Sequence, residues 1–279
     1  MLAGNEKNDY VQYQYNYEFH NLMWMIFEEN AIAVEMAEKY AFVGSSNAIY
    51  TGPLKMDMFY ETVDVDPWKE VIEKCGNKVA KRIIYAPHHS MEPEGHLHFA
   101  TFQDKYREIL ELAKRYENDT VWLFKPHPAL KSKTIRVGIF KDETEWDAYV
   151  QEWRDLKNGI VYEGTIYHPF FQCSDAMVLD CGSFVAEYLY VNKPQLFLRR
   201  KEQGFNEFGE LLLPLLYQVD GKDIAGIEQF IQDIVIDQKD TKKEEREDFF
   251  EKYLYYRNLT GKEQSAAGNV YEVLSEIFG

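Results

Sequence analysis

The run Asp180-Cys181-Gly182-Ser183 follows the apolar stretch Ala176-Met177-Val178-Leu179 and leads into Phe184-Val185-Ala186-Glu187. A strand, a tight turn and a helix start are expected there. Backbone N–H groups at a helix start lack intrahelical partners and the helix dipole is positive, so such a turn offers a seat for phosphate or pyrophosphate. Gly182 permits close backbone approach and Ser183 adds a hydroxyl donor. Glu187, one turn further along the same helical face, is placed to accept hydrogen bonds from ribose hydroxyls. The plainer alternative is an ordinary strand-to-helix turn with a Ser N-cap and a solvated Glu.

Two other strand ends carry polar chemistry. In Phe124-Lys125-Pro126-His127-Pro128, two prolines stiffen the backbone around an imidazole while Lys125 supplies a cation, an arrangement suited to holding His127 against a pyrophosphate. His127 is the candidate catalytic residue, donating to the departing phosphate. A proline-stiffened loop with a surface His is the alternative. After Tyr85-Ala86-Pro87, His88, His89 and Ser90 supply further donors for an anion, or else form a polar loop of titrating imidazoles. His88, His89, His96 and His98 also invite a metal reading, but adjacent histidines are expected to point differently and no Cys or carboxylate at ligand spacing completes a site. No metal and no cofactor are expected. Arg199, opening Arg199-Arg200-Lys201 after the Gln195–Leu198 strand, would add positive charge to the same rim, or be a solvated strand end.

The elements that must position these residues read as repeated βα units. Apolar runs at 82–85, 120–124, 160–162, 176–179 and 195–198 alternate with helical patterns at 102–116, 143–156, 167–173 and 184–191. This order predicts an α/β fold with a parallel sheet and helices on both faces, whose ligands lie outside the carboxyl ends of the strands. Upstream, 17–40 has the spacing of one amphipathic helix or two joined ones, and 47–53 that of a short strand ending in a Gly-Pro turn. Asp64-Val65-Asp66-Pro67 then breaks the chain, so a boundary is expected near residue 62, giving domains of 1–62 and 63–279. Helical patterns close the chain at 224–236, 248–256 and 270–277, and the charge run 238–248 reads as a solvated face.

With 47 acidic against 31 basic residues the formal net charge is −16, which argues against a general nucleic-acid partner. Cys75, Cys173 and Cys181 form no CxxC pair, so reduced thiols and a cytoplasmic setting are expected, without a disulfide. No apolar run approaches membrane-spanning length and the N-terminus lacks a signal-peptide core. There is no G-x-S-x-G elbow, Walker loop or dinucleotide fingerprint; Gly204-Phe205-Asn206-Glu207-Phe208-Gly209 lacks the strand and helix in the required register.

Taken in order, Tyr85-Ala86-Pro87-His88, Lys125-Pro126-His127-Pro128, Ser174-Asp175, Asp180-Cys181-Gly182-Ser183, Glu187-Tyr188 and Lys193-Pro194 resemble the CDP-glycerol glycerophosphotransferase family of teichoic-acid and capsule enzymes, from about Tyr15 to about Gly209. Thr51-Gly52-Pro53-Leu54-Lys55-Met56-Asp57 looks like the family's exit from its N-terminal lobe. The resemblance implies a GT-B architecture, with residues 1–62 as the tail of an acceptor-side lobe and 63–279 as the Rossmann-like donor-binding domain. It implies that His127 contacts or protonates the donor pyrophosphate, that Ser183 binds phosphate and that Glu187 holds the ribose. The partners implied are a CDP-glycerol-type donor and a polymer or lipid-linked acceptor, at the cytoplasmic face of a membrane that parts outside this chain would touch peripherally. Two departures stand out. The family's Asp-Tyr-Ser-Ser reads Asp180-Cys181-Gly182-Ser183 here, and its Trp-His-Gly motif, whose His serves as acceptor base, is absent. The chain alone is therefore expected to bind donor without efficient transfer. A UDP-sugar-dependent GT-B glycosyltransferase or epimerase, or a non-catalytic nucleotide-binding protein, are the competing expectations.

Overall fold

The computed structural model describes residues 14–91 and 98–279, so His96 lies outside the described residues. By contacts the chain forms two compact units. One holds Val63–Gly204 and Leu212–Lys243; the other holds Phe205–Leu211, Glu244–Gly279 and the described residues up to Thr62.

The first unit is built on six strands, all parallel: β3 (Lys81–Ala86), β4 (Thr120–Phe124), β5 (Gly159–Val161), β6 (Ala176–Leu179), β7 (Gln195–Arg199) and β8 (Tyr217–Asp220), in the spatial order β5-β4-β3-β6-β7-β8. Counting from β3, this is the 3-2-1-4-5-6 order of a Rossmann sheet, with its reversal between β3 and β6. Every residue of β4 and β6 is buried. Their near-continuous apolar runs, in place of a two-residue alternation, follow from a parallel sheet covered on both faces. β8 is the exception and was not expected from the sequence. It lies at the sheet edge, where burial alternates over only four residues.

Helices flank the sheet. In α4 (Phe102–Arg115), Ile109, Leu110, Leu112 and Ala113 are buried on one face. In α6 (Glu143–Asp155), the Asp142 side chain caps the first turn by accepting from Glu145 N–H, and Trp146, Tyr149, Val150 and Trp153 turn inward. The Trp153 ring lies nearly parallel to Phe124 of β4, 5.2 Å away at an interplanar angle of 11°. Phe102, Phe140 and Tyr149 complete this aromatic core, which fixes the base of the β4 end on which His127 sits.

In the second unit, residues 17–40 are not a continuous helical segment as expected. A five-residue helix α1 (Glu18–Leu22) is followed by strand β1 (Ile26–Glu28) and helix α2 (Ala31–Tyr40), and β1 pairs in parallel with β2 (Ala48–Tyr50). The apolar spacing of Ile26-Phe27 suits either state, and pairing with β2 decides it. The last residues also differ from the expectation that 63–279 form one domain. Asp57 accepts from Tyr256 Oη at 2.7 Å and from Ala266 N–H at 2.8 Å, at the start of helix α12 (Ala266–Phe278). Asn269 of α12 donates to Thr51 O at 2.9 Å. Gly52, at φ +91°, lies so close to the Tyr256 ring that a Cβ there would come within 2.3 Å of it. These bonds hold the C-terminal helix to residues 51–57 and account for its grouping with the N-terminal segment.

Candidate functional site

The β3, β4 and β6 ends lie level with one another, since Tyr85 is paired with both Phe124 and Val178. Beyond them the chain builds one polar cluster at the point where the strand order reverses, the usual ligand position in an open parallel sheet. His127 N–H donates to Pro87 O at 3.3 Å, tying the β4 loop to the β3 loop. Asp180, first residue after β6 and 1% exposed, joins the third loop. Its Oδ1 accepts from His88 N–H at 2.5 Å, and its Oδ2 accepts from Thr101 N–H at 2.5 Å and Thr101 Oγ1 at 2.9 Å. Burial pushes the Asp180 carboxyl up to about 7, against the pull of these three donors.

The result is a packed trio of imidazoles. Ring centroids are 4.3 Å apart for His88 and His89, 4.0 Å for His89 and His127, and 5.3 Å for His88 and His127. Their ligand-type atoms lie within 4.8 Å of one another, so the adjacent histidines converge where they were expected to diverge. Hydrogen bonding decides what such a trio can hold. Ala129 N–H donates to His127 Nδ1 at 3.0 Å. A backbone N–H can only donate, so the proton of the neutral ring sits on Nε2. Ser90 N–H likewise donates to His88 Nδ1 at 3.3 Å, and the Ser90 hydroxyl, which accepts from Phe99 N–H, lies 2.8 Å from the same nitrogen. His88 therefore also carries its proton on Nε2. Metal ligation through Nε2 needs a lone pair there, whereas these rings present N–H groups, the chemistry of an anion site. Burial, reinforced by the neighbouring imidazoles, lowers His88 to about 3. Burial, then His89 and Lys125, lowers His127 to about 4. Both rings are neutral donors at pH 7.

Two residues past Asp180 begins helix α8 (Gly182–Tyr188), which carries an exposed Ser183 in its first turn and Glu187 one turn on. The N-cap is Cys181, not Ser183, and its thiol is buried and pushed up to about 12 by burial. With seven residues, α8 contributes little macrodipole, so donors at this turn are the local N–H groups and the Ser183 hydroxyl. Tyr167, at the N-terminus of α7 (His168–Cys173), donates its hydroxyl to Glu187 Oε2.

Lys125 and Arg199 have other engagements. Lys125 is 5% exposed; its Nζ donates to Gly164 O at 3.1 Å and lies 5.4 and 5.2 Å from the ring centroids of Tyr162 and Tyr167. The Arg199 guanidinium stands 6.0 Å from the Phe197 ring, its neighbour on one face of β7. The described contacts thus unite His88, His89, Ser90 and His127, with Gly182, Ser183 and Glu187 on the element that follows Asp180. Asp180, Thr101 and Tyr167 were missed from the sequence. An Asp directly after a buried strand and before Cys181-Gly182 was the available signal for the first; nothing local marks the other two.

Residues 5–272 match the family described as CDP-glycerol:poly(glycerophosphate) glycerophosphotransferase. The chain belongs to that family. Among solved structures, the wall teichoic acid polymerase TagF aligns with 92% of this chain and 59% of its own, at 14% identity and a TM-score of 0.53. MnaA of S. aureus, in its UDP co-structure, aligns over 92% of this chain and 60% of its own, at 17% identity and a TM-score of 0.56. The UDP-GlcNAc 2-epimerase of Methanocaldococcus jannaschii aligns over 83% of this chain and 61% of its own, at 15% identity and a TM-score of 0.50. At these identities the likeness is one of fold, the GT-B fold of glycosyltransferases and epimerases. The chain spans about three-fifths of the length of these relatives. None of the curated proteins matches it. Among the described residues no helix is long and apolar enough to cross a membrane.

Proposed function

We propose that this chain holds the activated donor for transfer of glycerol phosphate from CDP-glycerol to a hydroxyl of a polymer acceptor. The observation that carries this reading is the pair of neutral Nε2–H donors, His88 and His127, at the reversal point of the sheet in a glycerophosphotransferase-family chain. In the reaction, the acceptor oxygen attacks the phosphorus that bears glycerol. The bond from that phosphorus to the bridging oxygen breaks, and CMP leaves with the electron pair. A phosphate monoester has its second pKa near about 6, so departing CMP needs charge stabilisation more than a proton at pH 7. A neutral imidazole fixed as a donor suits that task. His127 therefore acts here by hydrogen bonding, because protonating its Nδ1 would break the bond from Ala129 N–H. Ser183 contacts phosphate, Glu187 accepts from the ribose hydroxyls, and His89 and Ser90 line the rim.

The acceptor proton must pass to a base, and the sequence holds no Trp-His-Gly motif to supply one. The proposal is accordingly donor binding by the 279-residue chain without efficient transfer. Because a UDP-bound relative shares the fold equally well, UDP-N-acetylglucosamine is the informative competitor. Calorimetric titration should give a dissociation constant at least about tenfold lower for CDP-glycerol, a difference of about 1.4 kcal/mol. A preference for the UDP-sugar would move the assignment to sugar-nucleotide chemistry.

A further inference from the structure

We infer that Tyr167 is a positioning residue for Glu187 and thereby sets how strongly the site distinguishes a ribose from a sugar lacking its hydroxyls. This rests on the donor-site reading above, in which Glu187 meets the ribose.

The side chain of a glutamate has three rotatable bonds and, on a helix flank, samples many rotamers. Here the Tyr167 hydroxyl donates to Glu187 Oε2 and selects one of them. The phenol is itself well fixed. Tyr167 is 7% exposed, and its ring lies 4.9 Å from both Phe171 and Phe184, one on its own helix and one on α8. From a third direction the Lys125 ammonium sits 5.2 Å from the ring centroid. Burial, with the charge of Glu187, raises the phenol well above its ordinary acidity range, so it remains a donor across the working pH range. A carboxylate has about four lone-pair sites. An oxygen that accepts the phenol proton can therefore still accept from a ligand hydroxyl. Preordering of this kind lowers the conformational entropy lost on binding, and the gain falls only on ligands that use the carboxylate.

The test compares CDP with 2′,3′-dideoxy-CDP by calorimetry on the full chain and on two variants. For the unaltered protein, loss of charge-assisted hydrogen bonds should weaken the dideoxy ligand by about one to two decades. Glu187→Gln should shrink that ratio sharply. Tyr167→Phe, which removes one oxygen and keeps the ring packing, should reduce the ratio about three- to tenfold while leaving dideoxy-CDP affinity within about twofold. If Glu187→Gln collapses the ratio and Tyr167→Phe leaves it intact, Tyr167 does not position the carboxylate. An equal loss for both ligands in Tyr167→Phe would show that it supports the fold instead, and also overturns the inference. If Glu187→Gln itself leaves the ratio unchanged, the ribose reading fails, and the inference with it.

Discussion

Replacing Asp180 by Asn tests whether one buried carboxylate organises the site. Asp180 is acceptor-only when ionised, and three donors from two distant segments converge on it: His88 N–H, Thr101 N–H and the Thr101 hydroxyl. An amide of the same shape has a single oxygen. Directed at the Thr101 pair, it turns its NH2 toward His88 N–H and leaves a buried donor unpaired; the opposite orientation strands Thr101 N–H instead, the Thr101 hydroxyl being able to accept from the amide. One such orphan costs about 1–3 kcal/mol, and the remaining bonds lose the assistance of a full charge. A total near about 2–4 kcal/mol is expected. At about 2–4 °C per kcal/mol for a unit of this size, the midpoint of thermal unfolding should fall by about 5–15 °C. The measurement belongs at pH 8, above the value of about 7 to which burial raises this carboxyl, so that the ionised form is the one compared. The same variant should weaken CDP binding, since His88 is aimed by the bond that is lost. Unfolding within about 2 °C of the parent, with unchanged nucleotide affinity, would refute the claim that Asp180 ties the β6 end to the β3 loop and to the start of α4.

Further outcomes follow from the same geometry. Ser183→Ala and Glu187→Ala should each raise the dissociation constant for CDP-glycerol by about one to two decades, the cost of a hydrogen bond to a charged partner; the unfolding midpoint should be unchanged for Ser183→Ala and lowered for Glu187→Ala, which leaves the Tyr167 hydroxyl without its carboxylate, and calorimetry and melting together check both. His88 and His127 are held near about 3 and about 4 when folded. Unfolded histidine titrates near about 6.5, so between those values the unfolded chain binds more protons. The stability these two rings contribute is therefore fully present above about pH 6.5 and is lost as pH falls toward 4, opposite in sign to the contribution of the raised Asp180 carboxyl, and His127→Gln should show a smaller loss than the parent in denaturant titrations across that range. CDP-glycerol affinity, by contrast, should not tighten as pH falls from 8 to 6.5, because neither ring gains charge there and Asp180, held at about 7, only loses the charge that aims His88; a tenfold tightening toward the acid end would mean that an imidazolium binds the pyrophosphate. Cys181 is 5% exposed with a thiol pushed up to about 12, so alkylation at pH 8 should modify the half-buried Cys75 at least about tenfold faster, as peptide mass mapping would read.

How far the site could be read in the sequence depended on sequence distance. Apolar runs such as Thr120–Phe124 and Ala176–Leu179 identify themselves, because parallel strands buried on both faces cannot be polar, and the residues after them are then marked as ligand-facing. The placement of His127 beyond β4, and of Ser183 and Glu187 on the helix that follows β6, was legible for that reason. Asp180 was not, because its meaning lies in His88 and Thr101, 92 and 79 positions away. The convergence of His88 and His89 was misjudged on the rule that neighbours diverge; Ser90 turns His88 back by binding its Nδ1. Lys125 reads as a phosphate cation in its Pro-His-Pro context, yet its ammonium is drawn to Gly164 O between two tyrosines. The association of the last helix with residues 51–57 rests on Asp57 and Asn269, more than two hundred positions from their partners, and no local pattern announces it.

The most direct measurement is a crystal structure of the chain with CDP-glycerol bound. The account predicts pyrophosphate oxygens within about 3.2 Å of Nε2 of His88 and His127, the Ser183 hydroxyl on phosphate and the ribose against Glu187. Nucleotide seated away from the three histidines, or a metal ion coordinated by their Nε2 atoms, would contradict it.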